Sequence, residues 1–474
     1  MKKTFIILAI LGVVFRFYVQ FISPYFNVDE ISLGSNIKEN TFLELLFPME
    51  RGQSAPPLFL LLEKFIISFF PFSFWVNIKL LSFFSSIFIV LLLYRFVEKY
   101  NFSKELLIMF VIVLFNPFFL TNTLTVKQYT FDLLGILFLI NYFNHKWFLK
   151  YNIIFFFIWS FLSNVALFSC VSYLMYLYFA INKRLSLYLV LKFIKKNFLT
   201  ILAPLPYVFY FIWFMNQEGA IELKNYMTSY WFGNFMPLNS GIFKFIISLF
   251  HSFWVFFYSM NEVVGLLLFL LSISSFLYFK KANKYKAEVV IIGGTMLIHL
   301  LLNILHLYPI SDRLFLYMGM FFLLLLSSTM NYLSKINRVS KYLNHSEIII
   351  SIVVFVSYFN YMFYKENDVI SLNNYLNKIN CSEKIYTTEK SFKTINDFNT
   401  FTDNKFKCKK ELIKISSSEN FESSFYLITR LFNKLKPNST SDEELIISQL
   451  RKKYSINKSI TLQGYNVYKL NKKK

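Results

Sequence analysis

The chain has 474 residues, of which 56% are hydrophobic and 16% are charged, and its mean hydropathy is +0.47. This apolar share exceeds that of ordinary soluble domains and indicates an integral membrane protein. The net charge of +22 would suggest nucleic-acid binding in a soluble protein. Here lysine and arginine fall mainly in short turns between apolar runs, as the positive-inside rule describes, so we expect no nucleic-acid partner.

The chain begins with Met1, Lys2 and Lys3, and an apolar run without a small-residue cleavage site follows. We therefore expect an uncleaved first span whose basic end lies in the cytoplasm. Run length and turn charge together predict about eleven spans, with the C-terminus on the outer side. The predicted spans are Thr4–Ile22, Phe74–Val97, Glu105–Thr121, Tyr129–Phe143, Asn152–Leu162, Val165–Asn182, Phe198–Met215, Val263–Phe279, Ala287–Leu307, Leu314–Met330 and Ile348–Tyr364.

Two further apolar segments are predicted to lie flat in the outer interface. Leu58–Phe70 is too short to cross and carries Glu63 and Lys64 near its middle. If Ile242–Met260 crossed, the basic turn at 280–286 would lie outside, which the positive-inside rule disfavours. The span count is open by one or two around 152–182 and 242–260. Asn122–Gln128 is predicted to be a short outer turn.

The C-terminal segment Lys365–Lys474 is polar and different in kind. Short runs typical of strands occur at Lys384–Thr388, Glu411–Ile415, Phe425–Ile428 and Tyr465–Leu470, with helical stretches at Val369–Asn377 and Asp442–Lys453. The prediction is a membrane domain at 1–364 followed by a small extracytoplasmic α/β domain at 365–474. Cys381 and Cys408 are either a disulfide, which that compartment permits, or two free thiols.

Charged and polar residues from separate parts of the chain are predicted to gather at the outer ends of the helices. Carboxylates at this depth are functional candidates, although Asp29 and Glu30 could instead cap the next helix. Lysine and arginine suit a phosphate, and a carboxylate suits removal of a proton from a hydroxyl. Lys79 and Lys127 could also extend to headgroups, and Asp312 could pair with Arg313. The set is Asp29, Glu30, Arg51, Gln53, Glu63, Lys64, Lys79, Lys127, Tyr129, Asp132, Asp312 and Arg313.

Other site classes have no recognisable signature. The chain has 12 glycines and no glycine-rich phosphate loop, so no nucleotide is expected. The five histidines are scattered without metal-ligand spacing, and His306 is expected to pack or face headgroups. A Ser-His-Asp hydrolase would need a nucleophile elbow, which is not recognisable.

Several segments resemble the outer loops of bacterial glycosyltransferases of the GT-C superfamily. The most similar group is the family-39-like one, related to protein O-mannosyltransferases and to the aminoarabinose transferase that modifies lipid A. The resemblance covers roughly residues 1–330. It is carried by Asn27-Val28-Asp29-Glu30, Gln53-Ser54-Ala55-Pro56-Pro57-Leu58-Phe59-Leu60 with Glu63-Lys64, Asn116-Pro117-Phe118-Phe119, Val126-Lys127-Gln128-Tyr129-Thr130-Phe131-Asp132, Trp231-Phe232 with Phe235-Met236-Pro237-Leu238, and Tyr308-Pro309 with Asp312-Arg313-Leu314.

The resemblance implies a multi-pass enzyme of the bacterial cytoplasmic membrane. It would transfer a sugar, with inversion, from a polyprenyl-phosphate donor to a hydroxyl of a lipid, glycan or protein acceptor at the extracytoplasmic face. Asp29 matches the family's catalytic acidic residue, which would act as general base, with Glu30 beside it. Lys127 and Arg313 match donor-phosphate positions. Lys79 and Tyr129 are expected to assist at the phosphate, and Gln53, Lys64, Asp132 and Trp231 to contact substrate.

Two positions depart from the pattern of the family. Lys79 stands where many relatives have arginine, and Thr125 stands where many have a second acidic residue, for which Asp132 is the candidate substitute. The need for a divalent ion, for which Asp29 would be a ligand, is left open. Two other functions also remain. A flippase or transporter of lipid-linked saccharide would place charges in mid-span, and a non-catalytic export or assembly subunit would not require Asp29.

Overall fold

In a computed structural model the chain is mainly helical, with a small sheet near the C-terminus. The structure describes residues 1–22, 28–49, 53–182, 184, 186–221, 242–258, 262–278, 283–310, 314, 316–335, 384–387, 413–414, 424–430, 442–462 and 465–473. Chain contacts define two compact units. The first comprises Met1–Ser23, Asn40–Pro71 and Val76–Met362, and the second Pro24–Glu39, Phe72–Trp75 and Phe363–Lys474. The domain boundary after residue 364 stays a prediction.

The helices of the described chain follow the apolar runs of the sequence, and short connections separate them. The first helix continues as a π-helical turn, Tyr18–Ile22. The helices are α1 (Lys2–Phe17), α2 (Val28–Glu39), α3 (Pro57–Phe69), α4 (Phe74–Lys99), α5 (Leu107–Phe115), α6 (Pro117–Leu124), α7 (Tyr129–Tyr142), α8 (Lys146–Ser160), α9 (Val165–Ile181), α10 (Leu187–Lys196), α11 (Phe198–Leu202), α12 (Leu205–Met215), α13 (Ile242–Tyr258), α14 (Glu262–Tyr278), α15 (Lys286–Ile304), α16 (Leu316–Leu333) and α17 (Asp442–Lys453).

Several of these helices can span a membrane. Within the described ranges, five are long and apolar enough by length and composition, and a bent pair would add a sixth. The five are Lys2–Phe21, Phe74–Lys99, Phe198–Met215, Lys286–Ile304 and Leu316–Leu333. The count of about eleven stays a prediction, and its last span, Ile348–Tyr364, lies outside the described residues.

The predicted third span is broken rather than straight. Lys104–Phe115 and Pro117–Leu124 meet at an angle of 50°. Pro117 has no amide hydrogen and suits the first position of a new helix, while Asn116 caps that helix by accepting from the Phe118 amide over 2.9 Å. The predicted outer turn Asn122–Gln128 is therefore wrong at its start, because α6 continues to Leu124.

The core of the first unit surrounds α5 and α16. All nine residues of α5 are buried, as are the residues of α16 from Leu316 to Met330. A helix that is apolar on every side belongs in the interior. Helices α9 and α15 pack beside this core at close range, because a Cβ on Gly294 would lie 2.3 Å from Ser172 Oγ. Ser172 Oγ donates to the Ile291 carbonyl over 2.6 Å, and small residues permit such an approach.

Contacts within the first unit distinguish two ends of the bundle. Lys99 Nζ lies 2.8 Å from Glu288 Oε1, and Lys284 Nζ lies 2.6 Å from Glu105 Oε1. These pairs join the C-terminal end of α4 to the start of α15, and Lys2 lies over the Phe102 ring nearby. We call this the ion-pair end. The opposite end, called the polar end, contains the end of α15 and the start of α9, since α9 and α15 run antiparallel.

Two predicted interfacial segments are helical. Leu58–Phe70 corresponds to α3, which begins one residue earlier at Pro57. Ile242–Met260 corresponds to α13, which packs against α14 and brings Phe257 within 5.6 Å of the Phe322 ring in α16. Their placement relative to a bilayer stays a prediction.

The second unit contains a five-stranded mixed sheet. The strands are β1 (Lys384–Thr387), β2 (Ile413–Lys414), β3 (Ser424–Arg430), β4 (Tyr454–Leu462) and β5 (Tyr465–Lys472). Their order in the sheet is β2-β1-β3-β5-β4. β1 is parallel to β2 and β3, and β5 is antiparallel to β3 and β4.

The strand β4 was not predicted, because Asn457, Lys458 and Ser459 interrupt its apolar alternation; a register irregularity lies at Ile456/Lys458. The predicted helix Asp442–Lys453 is observed with the same bounds.

Candidate functional site

Asp29 and Glu30 lie in the first turn of α2, inside the stretch that the sequence marks only as polar. The first amides of a helix are unpaired and its dipole is positive there, so carboxylates are favoured at this position. This geometry fits the capping explanation. Both residues belong to the second unit, so their convergence on Lys127 stays a prediction.

Lys127 and Gln53 meet inside the first unit. Lys127 Nζ donates to Gln53 Oε1 over 2.5 Å, and both side chains are buried. The two residues come from different predicted outer loops, 74 positions apart. A buried ammonium is costly unless it is paired or hydrogen-bonded. The fold therefore brings together two of the residues assigned to donor-phosphate and substrate contacts.

Two threonine side chains and one backbone hydrogen bond hold the loop that carries Lys127. Thr125 Oγ1 donates to the Thr121 carbonyl over 2.6 Å, and Thr130 Oγ1 donates to the Thr123 carbonyl over 2.8 Å. The Lys127 amide itself bonds to the Thr125 carbonyl over 2.7 Å. These bonds tie the end of α6 to the start of α7. They fix the backbone from which the lysine extends.

Lys79 is buried on the first turns of α4, and its backbone belongs to the same polar end. Gln20 Nε2 donates to the Lys79 carbonyl over 3.1 Å and to Ser82 Oγ over 3.2 Å. Ser82 Oγ is 3.3 Å from the Leu124 carbonyl at the end of α6. The ends of α1 and α6 therefore meet the start of α4. Gln20 and Ser82 were not predicted, although each is a polar residue within an apolar run.

Asp132 is buried in the first turn of α7 and accepts a hydrogen bond from Ser163 Oγ. The next residue, Asn164, accepts one from the Tyr207 hydroxyl. Tyr308 lies near Asp132, and burial raises the pKa of Tyr308. Tyr308 therefore keeps its hydroxyl hydrogen near neutral pH and can donate it.

His299 is a buried residue that the sequence analysis did not identify. Its Nδ1 lies 2.9 Å from the Tyr317 hydroxyl, and its Nε2 lies 3.0 Å from the Pro309 carbonyl. These contacts hold the segment after α15, which carries Tyr308 and Pro309. His306 is exposed with a φ of 57°, so it is not the packed residue that one alternative described.

Glu63 and Lys64 differ sharply in environment although they are adjacent on α3. Lys64 is half-buried, and burial lowers its pKa while the charge of Glu44 raises it. Glu63 is fully buried, and neither carboxyl oxygen has a hydrogen-bond partner within the described part of the chain. Burial raises the pKa of Glu63 well above its usual value. Glu63 is therefore best described as a neutral acid.

Arg16 was not predicted as a site residue. It is a fully buried arginine within the first apolar helix. Its Nη1 donates to the carbonyls of Gly12 and Leu114, each over 3.1 Å, and its Nη2 donates to the Val113 carbonyl over 3.4 Å. The break at Asn116–Pro117 frees these two α5 carbonyls. Pro117 has no amide hydrogen for Val113, and Asn116 takes the Phe118 amide that would reach Leu114. Arg16 replaces both missing donors.

Tyr129 is buried at the start of α7. The other predicted residues lie outside the described residues, so their roles stay predictions. They are Arg51, Trp231, Asp312, Arg313, Cys381 and Cys408. Among the described residues, no group of three or more His, Cys, Asp and Glu side chains could hold a metal ion. A cavity of about 460 Å³ in the second unit is lined by Arg451, Tyr454, Ser455, Ile456, Tyr468 and Lys473, none of which is a predicted site residue.

Comparison with known proteins does not assign a family. Neither the protein-family models nor the curated protein sequences gave a match to this chain. The proposed function therefore rests on the sequence motifs and on the residues that the fold places at the polar end.

Proposed function

We propose that this chain is a membrane-embedded, inverting glycosyltransferase of the GT-C type with about eleven spans. The donor is a sugar carried on polyprenyl phosphate, and the acceptor is a hydroxyl at the extracytoplasmic face. The sequence motifs in four predicted outer segments support this function. The single structural observation that supports it most is the buried hydrogen bond between Lys127 and Gln53.

The surroundings of Lys127 suit an anionic ligand. Its loop is fixed by backbone hydrogen bonds, and its ammonium lies in a low-dielectric region where a charge-assisted bond to phosphate would be strong. Gln53 Oε1 is a neutral acceptor, so it orients the ammonium without cancelling its charge. Tyr308 and Ser163 provide hydroxyl groups around Asp132 at the same end.

The proposed reaction is a single displacement at the anomeric carbon. The acceptor oxygen forms the new glycosidic bond while the bond from the anomeric carbon to the phosphate oxygen breaks. Asp29 takes the proton of the acceptor hydroxyl. Polyprenyl phosphate leaves with the electron pair, and Lys127 and Arg313 stabilise its charge. No nucleotide takes part in this step.

A transporter would instead use charges in mid-span, and Arg16 is such a charge. However, its guanidinium donates to three backbone carbonyls at a helix break, which is a structural use of the residue. We therefore keep the transferase as the proposed function and treat Arg16 as part of the framework.

The test is transfer of radiolabelled sugar from polyprenyl-phosphate sugar by membranes that contain the full chain. We expect Asp29→Asn to reduce the transfer rate by roughly 10²- to 10⁴-fold, the usual contribution of a general base. Glu39→Gln, at the other end of the same helix, is the matched control and should retain the parent rate. A parent-like rate for Asp29→Asn, at equal protein level, would refute the role of Asp29.

A further inference from the structure

The segment after α9 forms a short amphipathic helix, α10, rather than a simple basic turn. None of its ten residues is buried. Leu187, Leu191 and Ile194 follow each other at helical spacing and are 77%, 58% and 41% exposed. Lys192 and Lys196 lie on the other side of the helix, Lys195 borders the apolar stripe, and all three lysines are exposed. An apolar stripe opposite a basic stripe is typical of helices that lie in a membrane interface.

The fold fixes the position of α10 along the bundle. Tyr178, near the end of α9, donates to the Arg184 carbonyl over 2.9 Å, and its ring lies 5.4 Å from that of Phe193 in α10. Because α9 starts at the polar end, its last turn lies at the ion-pair end. The apolar span Phe198–Met215 begins two residues after α10 ends. The helix therefore lies at the level where spanning helices leave the hydrocarbon.

We infer that α10 binds the bilayer surface at the ion-pair end, through its lysines to anionic phospholipid headgroups and through its leucine stripe to the acyl boundary. The segment 182–200 contains basic residues and no acidic residue, so its charge is complementary to anionic lipid. At ten residues the helix is about 15 Å long, which is too short to span the hydrocarbon core. This inference does not depend on the transferase reaction.

The first experiment measures how deeply residue 191 lies in the bilayer. The full chain, with Cys381→Ser, Cys408→Ser and Leu191→Cys, is labelled at position 191 with a bimane fluorophore and reconstituted into phosphatidylcholine vesicles with or without phosphatidylglycerol. We expect quenching by lipids with a bromine in the upper acyl chain to exceed quenching by aqueous iodide. A probe that iodide quenches freely in both vesicle types would overturn the inference.

The second experiment measures lipid preference. Native mass spectrometry compares phosphatidylglycerol with phosphatidylcholine retained by the parent chain and by Lys192→Gln/Lys195→Gln/Lys196→Gln. We expect the preference to fall by about fivefold per lysine, the usual effect of one basic residue at an anionic surface. The matched control, Arg451→Gln/Lys452→Gln/Lys453→Gln, removes three exposed charges from α17 and should keep the parent preference.

A protein partner predicts a different result. If a second copy of the chain covers the leucine stripe, Leu187→Ser/Leu191→Ser would change the oligomeric mass in detergent and leave lipid preference unaltered. That outcome, or equal lipid preference in the α10 and α17 variants, would refute lipid binding by α10.

Discussion

Lys127 donates a hydrogen bond to Gln53 although 74 positions separate the two residues, and both side chains are buried. The contact joins two of the sequence motifs on which the proposed function rests. We predict that Lys127→Gln lowers sugar transfer by roughly 10- to 100-fold, because a lost hydrogen bond to a charged group costs about 1.5–3 kcal/mol. The measurement is kcat and KM for polyprenyl-phosphate sugar, with exposed Lys150→Gln as the control.

The same pair can be tested by a double-mutant cycle. Gln53→Ala should raise KM less than Lys127→Gln does, and the two effects should not add, because residues in direct contact are energetically coupled. Additive effects would show that Gln53 does not orient the lysine during turnover.

A second prediction concerns Arg16 and the helix break. Arg16→Leu should destabilise the folded chain by about 1–3 kcal/mol, because the Val113 and Leu114 carbonyls lose their donors in the interior. Pro117→Ala restores an amide that can reach Val113, so it should recover part of that loss in the Arg16→Leu background. Unfolding is followed in detergent by denaturant titration. If Arg16→Leu destabilised the Pro117→Ala chain as much as it destabilises the parent chain, this explanation would be contradicted.

A third prediction follows from the buried carboxyl of Glu63. Its pKa is raised in the folded chain, so the folded state holds the proton more tightly than the unfolded state. The free energy of unfolding should therefore fall as pH rises above the ordinary value of about 4.3 and level off above the raised pKa. Glu63→Gln should remove this dependence and be more stable than the parent at neutral pH.

The matched control for Glu63 is Glu44, an exposed carboxylate with the opposite shift. Hydrogen bonds from the Thr41 amide and hydroxyl lower the pKa of Glu44. Its stabilising effect is present above the ordinary pKa and is lost on acidification, so Glu44→Gln should be less stable than the parent at neutral pH. The measurement is denaturant unfolding from about pH 2 to 8, which extends below the ordinary carboxyl pKa of about 4.3. If Glu63→Gln and Glu44→Gln changed the free energy of unfolding in the same direction at neutral pH, the assigned pKa shifts would be contradicted.

A fourth prediction tests the two ends of the bundle. Asn144 follows α7 on the ion-pair end, whereas His306 follows α15 on the polar end, and both are exposed. In a background with serine at 381 and 408, His306→Cys should react with an impermeant maleimide added outside intact cells. Asn144→Cys should react only after permeabilisation. Labelling of both positions from the same side would show that the ends are wrongly assigned.

Much of the helical framework could be predicted from the sequence. Hydrophobic runs of about 20 residues satisfy the bilayer only as helices, since every backbone polar group must be paired internally. The start of α7 at Tyr129 and the end of the predicted seventh span at Met215 were therefore predictable.

The sequence by itself determined that this protein is apolar, mainly helical and equipped with acid, lysine and amide groups beyond its hydrophobic runs. Only the tertiary structure decided that Lys127 meets Gln53, that Ser163 meets Asp132 and that Arg16 reaches the carbonyls freed at Pro117. The physical reason is that the length and hydropathy of a run indicate whether that segment lies in water or in lipid. Pairing between distant buried groups depends on which helices approach closely, and a periodic pattern does not encode that choice.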